Sequence, residues 1–162
     1  MAIYAISNQN AGSPQNLTTT YKTILGFYAT TGATTLRRGW LYEFEIGATG
    51  APNATDCPIQ YDVSIQTATG TSTALTPNPV DTGGGDAAAL LTYFANSTAE
   101  GTITASSSLF NVGLNQRASQ RWIARDRASS LISAAVNNKG LACRALSPVY
   151  TSTVSWQGYT EE

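Results

Sequence analysis

Short segments of this chain alternate between apolar and polar residues. In residues 40–46 every second side chain is apolar, which predicts one buried strand face made of Trp40, Tyr42, Phe44 and Ile46. Residues 60–66 alternate in the same way, with an apolar set of Tyr61, Val63 and Ile65 and a polar set of Asp62, Ser64 and Gln66. Successive side chains of a β-strand point to opposite faces. We therefore predict that both segments are strands with one face in the core and one in solvent.

The same pattern recurs along most of the chain. Further strands are predicted at residues 3–7, 20–29, 101–105, 109–114, 120–125, 131–135, 140–146 and 151–157. Runs of this length, separated by Gly, Pro, Asn and Asp, are the signature of an all-β domain. The predicted fold class is all-β: a two-sheet antiparallel sandwich, jelly-roll-like, with at most one short helix.

Some segments depart from the alternation. Residues 7–16 are polar, uncharged and rich in turn formers. They predict that 1–16 comprise a first strand and a flexible N-terminal arm, before a single β-sandwich domain of 17–162. Residues 81–86 read Asp-Thr-Gly-Gly-Gly-Asp and predict a loop, and the following run to residue 94 predicts the one short helix, capped by Asp86. Residues 159–162 are expected to form an exposed tail.

Composition narrows the functional classes. The chain has no histidine, and only 12% of its 162 residues are charged. Histidine is the usual proton carrier near neutral pH and a common metal ligand, so the sequence predicts neither enzyme activity nor a cofactor. A net charge of −1 and a pI of 5.3 disfavour nucleic acid as a partner. No stretch has the apolar length of a membrane span and the first residues lack a basic leader, so we expect no membrane partner and a chain that is made and kept in a cytosol.

Candidate chemical groups are few. Glu43 and Glu45 would share a face of one strand, as an acid–base pair requires, but alternating glutamates also suit any exposed sheet surface. The 81–86 loop offers oxygen ligands for calcium without the spacing of a calcium loop, so a solvated turn is favoured. Cys57 and Cys143 are far apart and lack a CxxC pattern, which predicts free thiols and no metal site.

Arginine residues are the main candidates for a binding surface. The largest charge cluster consists of Arg117, Arg121, Arg125 and Arg127. Residues 101–162 carry six basic and three acidic groups, whereas 1–100 carry three basic and seven acidic, and this asymmetry favours a polarised surface. Arginine is enriched at protein interfaces, so we predict four partner-binding residues: Arg37, Arg38, Arg117 and Arg121. A solvated basic face is the alternative interpretation.

The strand predicted at 120–125 separates its residues by face. Arg121, Ile123 and Arg125 share one face, while Trp122 lies on the other. This arrangement lets the indole enter the core while the guanidinium groups point outward.

Short motifs of the chain resemble those of small virion proteins encoded among the head genes of tailed bacteriophages. The resemblance covers nearly the whole chain and rests on LTTTYKT at 17–23, LRRG at 36–39, TPNP at 76–79, LNQRA at 114–118, Arg121-Trp122 and the ending Glu161-Glu162. The resemblance to this family of capsid decoration, or cement, proteins implies a compact β-sandwich that trimerises over junctions between capsomers. The chain departs from the usual family pattern in Cys57, Cys143 and the longer glycine loop at 83–85.

The resemblance implies a structural virion protein that stabilises a capsid by binding the major capsid protein on its outer surface, as a homotrimer. The polar segment 7–16 is then expected to order on binding. A carbohydrate-binding β-sandwich module and a tail or fibre component are the alternatives. The module would use exposed aromatic platforms, whereas Trp40, Trp122 and Trp156 all fall on strand faces predicted to be buried.

Overall fold

The computed structural model describes residues 2–30, 35–83, 88–149 and 151–162. Twelve strands lie in these ranges: β1 (Ile3–Ser7), β2 (Lys22–Ala29), β3 (Gly39–Ala48), β4 (Pro58–Ala68), β5 (Thr71–Leu75), β6 (Asn78–Pro79), β7 (Leu91–Ala99), β8 (Thr102–Asn115), β9 (Ser119–Ile123), β10 (Leu131–Ser133), β11 (Gly140–Leu146) and β12 (Val154–Glu161). The helical structure in the same ranges is limited to two 3-10 turns, Asn8–Asn10 and Arg127–Ser129.

The strands form two antiparallel sheets that pack as a sandwich. The first sheet has the order β10-β3-β12-β1-β6, and β9 also pairs with β3, on the edge that β10 occupies. The second sheet has the order β5-β7-β2-β11-β4-β8. Phe27, Phe44, Tyr61 and Trp156 are among the largest buried side chains of the core between them. The predicted fold class, a two-sheet antiparallel sandwich, is confirmed.

The second sheet is strongly curved, so that its two edges approach each other over its outer face. Only residues 69–70 separate β4 from β5, and only 100–101 separate β7 from β8, although β4 and β8 lie at one edge and β5 and β7 at the other. Gly70 packs so closely that a Cβ atom there would lie 2.6 Å from the Gly101 nitrogen. The two edges therefore converge, and the sheet curves around its own outer face.

This curvature overturns one prediction about β4. Tyr61 and Val63 are buried in the core, as predicted. Asp62, Ser64 and Gln66 were expected in solvent, yet each is at most 2% exposed. The alternation is therefore correct, but the face expected to meet water meets protein.

The helix predicted at 86–94 is wrong. Its expected cap, Asp86, lies outside the described residues, and the chain from Leu91 onward forms strand β7. Leu91, Tyr93, Phe94 and Ala95 are all buried, and β7 pairs with β2 on one side and β5 on the other. Alanine and leucine favour a helix locally, but the pairing on both edges outweighs that weak preference.

β3 departs from its predicted alternation at Tyr42. Consecutive residues of β12 pair with Glu43 and Leu41 and skip Tyr42, which is therefore the extra residue of a β-bulge. Beyond the bulge Leu41 is buried, while Trp40 and Tyr42 are only half-buried. The prediction that Trp40 and Tyr42 line the core is wrong, because one inserted residue exchanges the two faces of a strand.

The segment expected to be a flexible arm packs against the sandwich at residues 8–11. The buried Asn8 side chain donates a hydrogen bond to the Val154 carbonyl (3.0 Å) and accepts one from the Trp156 N–H (2.8 Å). The Asn96 amide in turn donates to the carbonyls of Asn8 and Ala11. The polar side chains of this segment satisfy backbone groups of the domain, so a free arm is the wrong description of these residues.

We expect an Asn8→Ala variant to lose about 1–3 kcal/mol of unfolding free energy, because it leaves buried backbone groups of β12 unpartnered. Chemical denaturation of the purified chain measures this loss. Asn10→Ala is the matched control, since Asn10 lies in the same 3-10 turn but is exposed. Equal stabilities of the two variants would contradict the anchoring role of Asn8.

The predicted exposed tail is also wrong. Residues 159–161 belong to β12, where Thr160 is buried. The Glu162 carboxylate accepts hydrogen bonds from the Leu90 and Leu91 N–H groups. Burial raises the pKa of Glu162, and these two hydrogen bonds oppose the rise only in part. The chain end is therefore built into the first sheet.

The prediction of free thiols is confirmed. Cys57 and Cys143 are both unpaired and buried. Burial raises the pKa of the Cys143 thiol, which keeps it protonated at neutral pH.

Candidate interaction surface on the first sheet

Strands β9 and β10 form an open edge of the first sheet. Within the described ranges both strands pair with β3 alone. The outer edge of such a strand carries backbone N–H and C=O groups that are free to pair with another chain. This edge is the candidate interaction surface.

An aromatic stack holds β9 in place. Trp122 lies over Phe44, with ring centroids 5.1 Å apart, and Phe44 also contacts Trp156 and Phe110. Since Trp122 points inward, Arg121 and Ile123 point outward, as the alternation predicts. The edge strand β9 is therefore anchored to the aromatic part of the core.

Two exposed isoleucines lie on the outer face of this edge. Ile123 is 55% exposed and pairs with Glu43, while Ile132 is 38% exposed and pairs with Trp40. The two paired positions on β3 are three residues apart in sequence, which is roughly 10 Å at the usual rise of a strand. Together with Arg121 and Arg125 they define what we call the edge surface.

The four predicted partner-binding arginines do not form one compact patch. Arg117 follows β8 and lies beside Gly47 at the end of β3, whereas Arg37 and Arg38 precede its first residue, Gly39. Ten residues of β3 separate the two ends, which corresponds to roughly 30 Å. Arg121, beside β3, is the one of the four on the edge surface.

Two of these arginines are already engaged within the chain. Arg117 Nε lies 3.0 Å from Asp56 Oδ1, and both side chains are more than half exposed. The hydrogen bond from Arg117 is the largest influence on the pKa of Asp56, which lies below its ordinary value. Arg121 Nε donates to Glu43 Oε1 at 2.6 Å. The exposed Arg117–Asp56 pair adds little stability and is open to exchange with a partner's carboxylates, whereas the Glu43 side chain is only 17% exposed.

Arg37, Arg38 and Arg125 are exposed and make no ion pair with the described part of the chain. Arg37 acts electrostatically on the Glu162 carboxyl, which places it near the end of β12. Arg125 and the two isoleucines are the surface residues that the four-arginine prediction missed. The alternation of Arg121, Ile123 and Arg125 was the signal that could have identified them.

At one end of the edge surface, the Arg127 side chain stacks on the Trp40 ring. The Arg127 guanidinium lies 4.1 Å from the centroid of the Trp40 ring and 3.0 Å from Glu161 Oε1. The 3-10 turn that carries Arg127 begins at a reciprocal cap between Asp126 and Ser129. Trp40 is thus covered on one face and is not a free stacking platform.

Glu43 and Glu45 take different environments. Glu43 is paired with Arg121, whereas Glu45 is exposed. One glutamate is ion-paired and the other is solvated. This arrangement favours the interpretation of Glu43 and Glu45 as ordinary residues of a sheet surface over their interpretation as an acid–base pair. In the 81–86 loop, the described part shows Asp81 accepting the Gly83 N–H at 2.9 Å, the contact of a simple turn.

A buried polar cluster lies on the other sheet, away from the edge surface. Asp62 accepts hydrogen bonds from Ser64, Ser108, Asn111 and Arg144, and the Arg144 guanidinium lies 4.7 Å from the Tyr21 ring centroid. Burial alone would raise the pKa of Asp62, but the hydrogen bonds from Ser108, Ser64 and Arg144 hold it below its ordinary value. The cluster is internally satisfied, so we assign it a structural role.

Metal-binding clusters and membrane-spanning helices are both absent from the described residues. No group of three or more Cys, Asp or Glu side chains is placed to hold a metal ion. No helix there has the length and apolar character that crossing a membrane requires.

Comparisons of the chain with protein-family models, with curated protein sequences and with solved structures found no match.

Proposed function

We propose that this chain is a structural virion protein that decorates and stabilises a phage capsid, by binding as a homotrimer at junctions between capsomers of the major capsid protein. The proposal joins the sequence resemblance to one structural observation, the open β9–β10 edge with its outward isoleucines and arginines. No catalytic role is assigned to the chain.

The edge surface has the composition of a protein contact. Ile123 and Ile132 supply apolar area, Arg125 supplies a cation without an ion pair in the described chain, and the strand edge supplies backbone donors and acceptors. Arginine is enriched among the few central residues that carry most of the binding energy of an interface. An edge strand that joins a neighbouring copy also removes a site of uncontrolled aggregation.

Trimerisation would strengthen binding to a shell without requiring a strong single contact. Three copies placed on a symmetric capsid site make the second and third contacts intramolecular, which raises their effective concentration. A protein that binds only the assembled lattice then stabilises that lattice by mass action. Arg37, Arg38 and Arg117, at the two ends of β3, are the proposed capsid contacts, and Arg121 and Arg125 lie nearer the contact between copies.

We expect Ile123→Asp to weaken self-association about tenfold or more, because it places a carboxylate in the centre of the proposed contact. Sedimentation velocity of the purified chain over a concentration series measures this effect. Leu109→Asp is the matched control: Leu109 is 43% exposed and lies on β8, an edge strand of the other sheet. This control is expected to associate as the unchanged chain does.

Capsid binding is tested in the same variants. We expect the unchanged chain and Leu109→Asp to cosediment with phage heads that lack the protein, and Ile123→Asp to be reduced. A chain that stays monomeric at all concentrations would overturn the trimer. Its absence from purified virions, measured by mass spectrometry, would overturn the decoration role, and its presence only in tails would favour the tail or fibre alternative.

A module that binds carbohydrate through exposed tryptophans is less well supported. Trp156 is buried, Trp122 is stacked on Phe44, and Trp40 is covered by Arg127. Tryptophan emission that is quenched by added sugar would favour that module over the decoration protein.

A further inference from the structure

A pocket of about 350 Å³ lies on the outer face of the second sheet, where the two edges of that sheet converge. Its main lining side chains are two aromatic rings and a set of neutral polar or small groups: Tyr28, Phe94, Gln66, Thr71, Ser72 and Ala74. None of the residues lining it carries a charge. Its volume is at the lower end of the range for small-molecule sites.

Strand register explains why the pocket is open. Gln66 of β4 pairs with Gly140 of β11, and Gly140 pairs with Tyr28 of β2, so the three residues form one row across the sheet. Directly paired residues share a face, and Gly140 has no side chain to fill the space between the other two. A gap between Gln66 and Tyr28 is therefore part of the fold.

The next row places the second aromatic ring. Gly26 pairs with Phe94 of β7, and a Cβ atom at Gly26 would clash with the Phe94 ring. The missing side chain lets that ring lie against β2, with its centroid 5.7 Å from that of Tyr28. Tyr28 and Phe94 thus form one apolar wall of the pocket.

Gln66 lines the pocket on the other side of Gly140 from Tyr28 and carries an unpartnered side-chain nitrogen. The residue is 1% exposed, and its buried Nε2 makes no hydrogen bond with the described residues. Buried amides are nearly always hydrogen-bonded, because removing one from water without a partner is unfavourable. A buried, unsatisfied amide in the lining of a pocket indicates a ligand that offers the missing partner.

We propose that this pocket binds a neutral sugar residue that carries an acetamido group. The aromatic wall suits the apolar face of a sugar ring, and Thr71 and Ser72 offer hydroxyl groups to its polar edge. The carbonyl of an acetamido group can accept a hydrogen bond from the unpartnered Gln66 Nε2, while its methyl group can pack on the rings. This site goes beyond the proposed capsid role and gives the protein a contact for glycans.

Titration of the ¹⁵N-labelled full chain with N-acetylglucosamine tests the proposal by nuclear magnetic resonance. We expect the Gln66 side-chain NH₂ signals and the backbone amides of 69–72 to shift, and glucose, which lacks the acetamido group, to bind more weakly. Ala74→Trp should abolish the shifts, because Ala74 is exposed, pairs with Phe94 and lines the pocket. Thr73→Trp is the control, since Thr73 is an exposed neighbour on the opposite face of β5 and should bind as the unchanged chain does.

A second variant separates binding from folding. Gln66→Leu removes the unsatisfied amide at nearly constant volume, so it should fold and lose the preference for N-acetylglucosamine over glucose. Unshifted Gln66 signals in the unchanged chain, shifts that persist in Ala74→Trp, or a preference that survives in Gln66→Leu would each overturn the proposal. Sedimentation and capsid binding should not change in these variants, so failure here is distinct from failure of the decoration role.

Discussion

An Asp62→Ala variant is expected to lose about 3–5 kcal/mol of unfolding free energy, because it leaves the partly buried Arg144 without its counter-ion. Asp62 is 2% exposed, and Arg144 donates to it through Nε (3.0 Å) and Nη2 (2.6 Å). Removing the carboxylate also deprives Ser64 and Ser108 of their acceptor. Chemical denaturation at neutral pH, with a two-state fit, measures the loss.

The pH dependence of stability supplies the control for this prediction. The pKa of Asp62 is lower in the folded chain than its ordinary value of about 4, so its contribution is complete above that pH and is lost as the pH falls through the folded pKa. The stability difference between the unchanged chain and Asp62→Ala should therefore shrink on acidification below about pH 4. Asp56→Ala, which breaks the exposed pair with Arg117, should stay near the unchanged stability. A similar effect of both substitutions would contradict the structural role of Asp62.

A Phe44→Ala variant is expected to lose about 3–5 kcal/mol, because a fully buried ring is removed from between three other aromatic rings. Phe44 lies 5.0 Å from Phe110, 5.1 Å from Trp122 and 5.4 Å from Trp156, measured between ring centroids. Chemical denaturation measures the loss. Tryptophan emission should also shift to longer wavelength as Trp122 loses its stacking partner.

Tyr42→Ala is the matched control for Phe44→Ala. Tyr42 lies on the same strand, is only half-buried, and contacts Tyr159 on the outer face of the sheet. We expect a much smaller loss of stability and little change in emission. An equal loss of stability in Tyr42→Ala and Phe44→Ala would contradict the conclusion that the aromatic cluster around Phe44 is the centre of the core.

Phe44→Ala should also weaken self-association, because the aromatic stack positions β9.

Part of the edge surface was predictable from local pattern. The alternation in 120–125 placed Arg121, Ile123 and Arg125 outward and Trp122 inward, and the structure agrees. The ion pairs of the arginines were not predictable in the same way, because proximity in the sequence does not reveal which carboxylate an arginine meets. Arg117 and Arg121 find their carboxylates in Asp56 and Glu43, more than fifty residues away.

The sugar pocket had no signal in the sequence. It depends on Gly140 lying between Gln66 and Tyr28, and on Gly26 lying beneath Phe94, which are relations between four strands. Glycine within a strand indicates a close approach of some kind but does not say to what. Gln66 was assigned to solvent from its alternation, and only the curvature of the sheet buries it.

The sequence was sufficient to predict an all-β sandwich and the positions of most of its strands. These properties follow from period-two alternation and composition, which act over a few residues. Tertiary structure alone decided that 91–99 is a strand, that Tyr42 forms a bulge, that Asn8 anchors the N-terminal segment and that Asp62 is buried. Each of these features depends on pairing or packing between residues far apart in the chain. Such contacts outweigh the local conformational preference of a segment, and a pattern of a few residues contains no information about them.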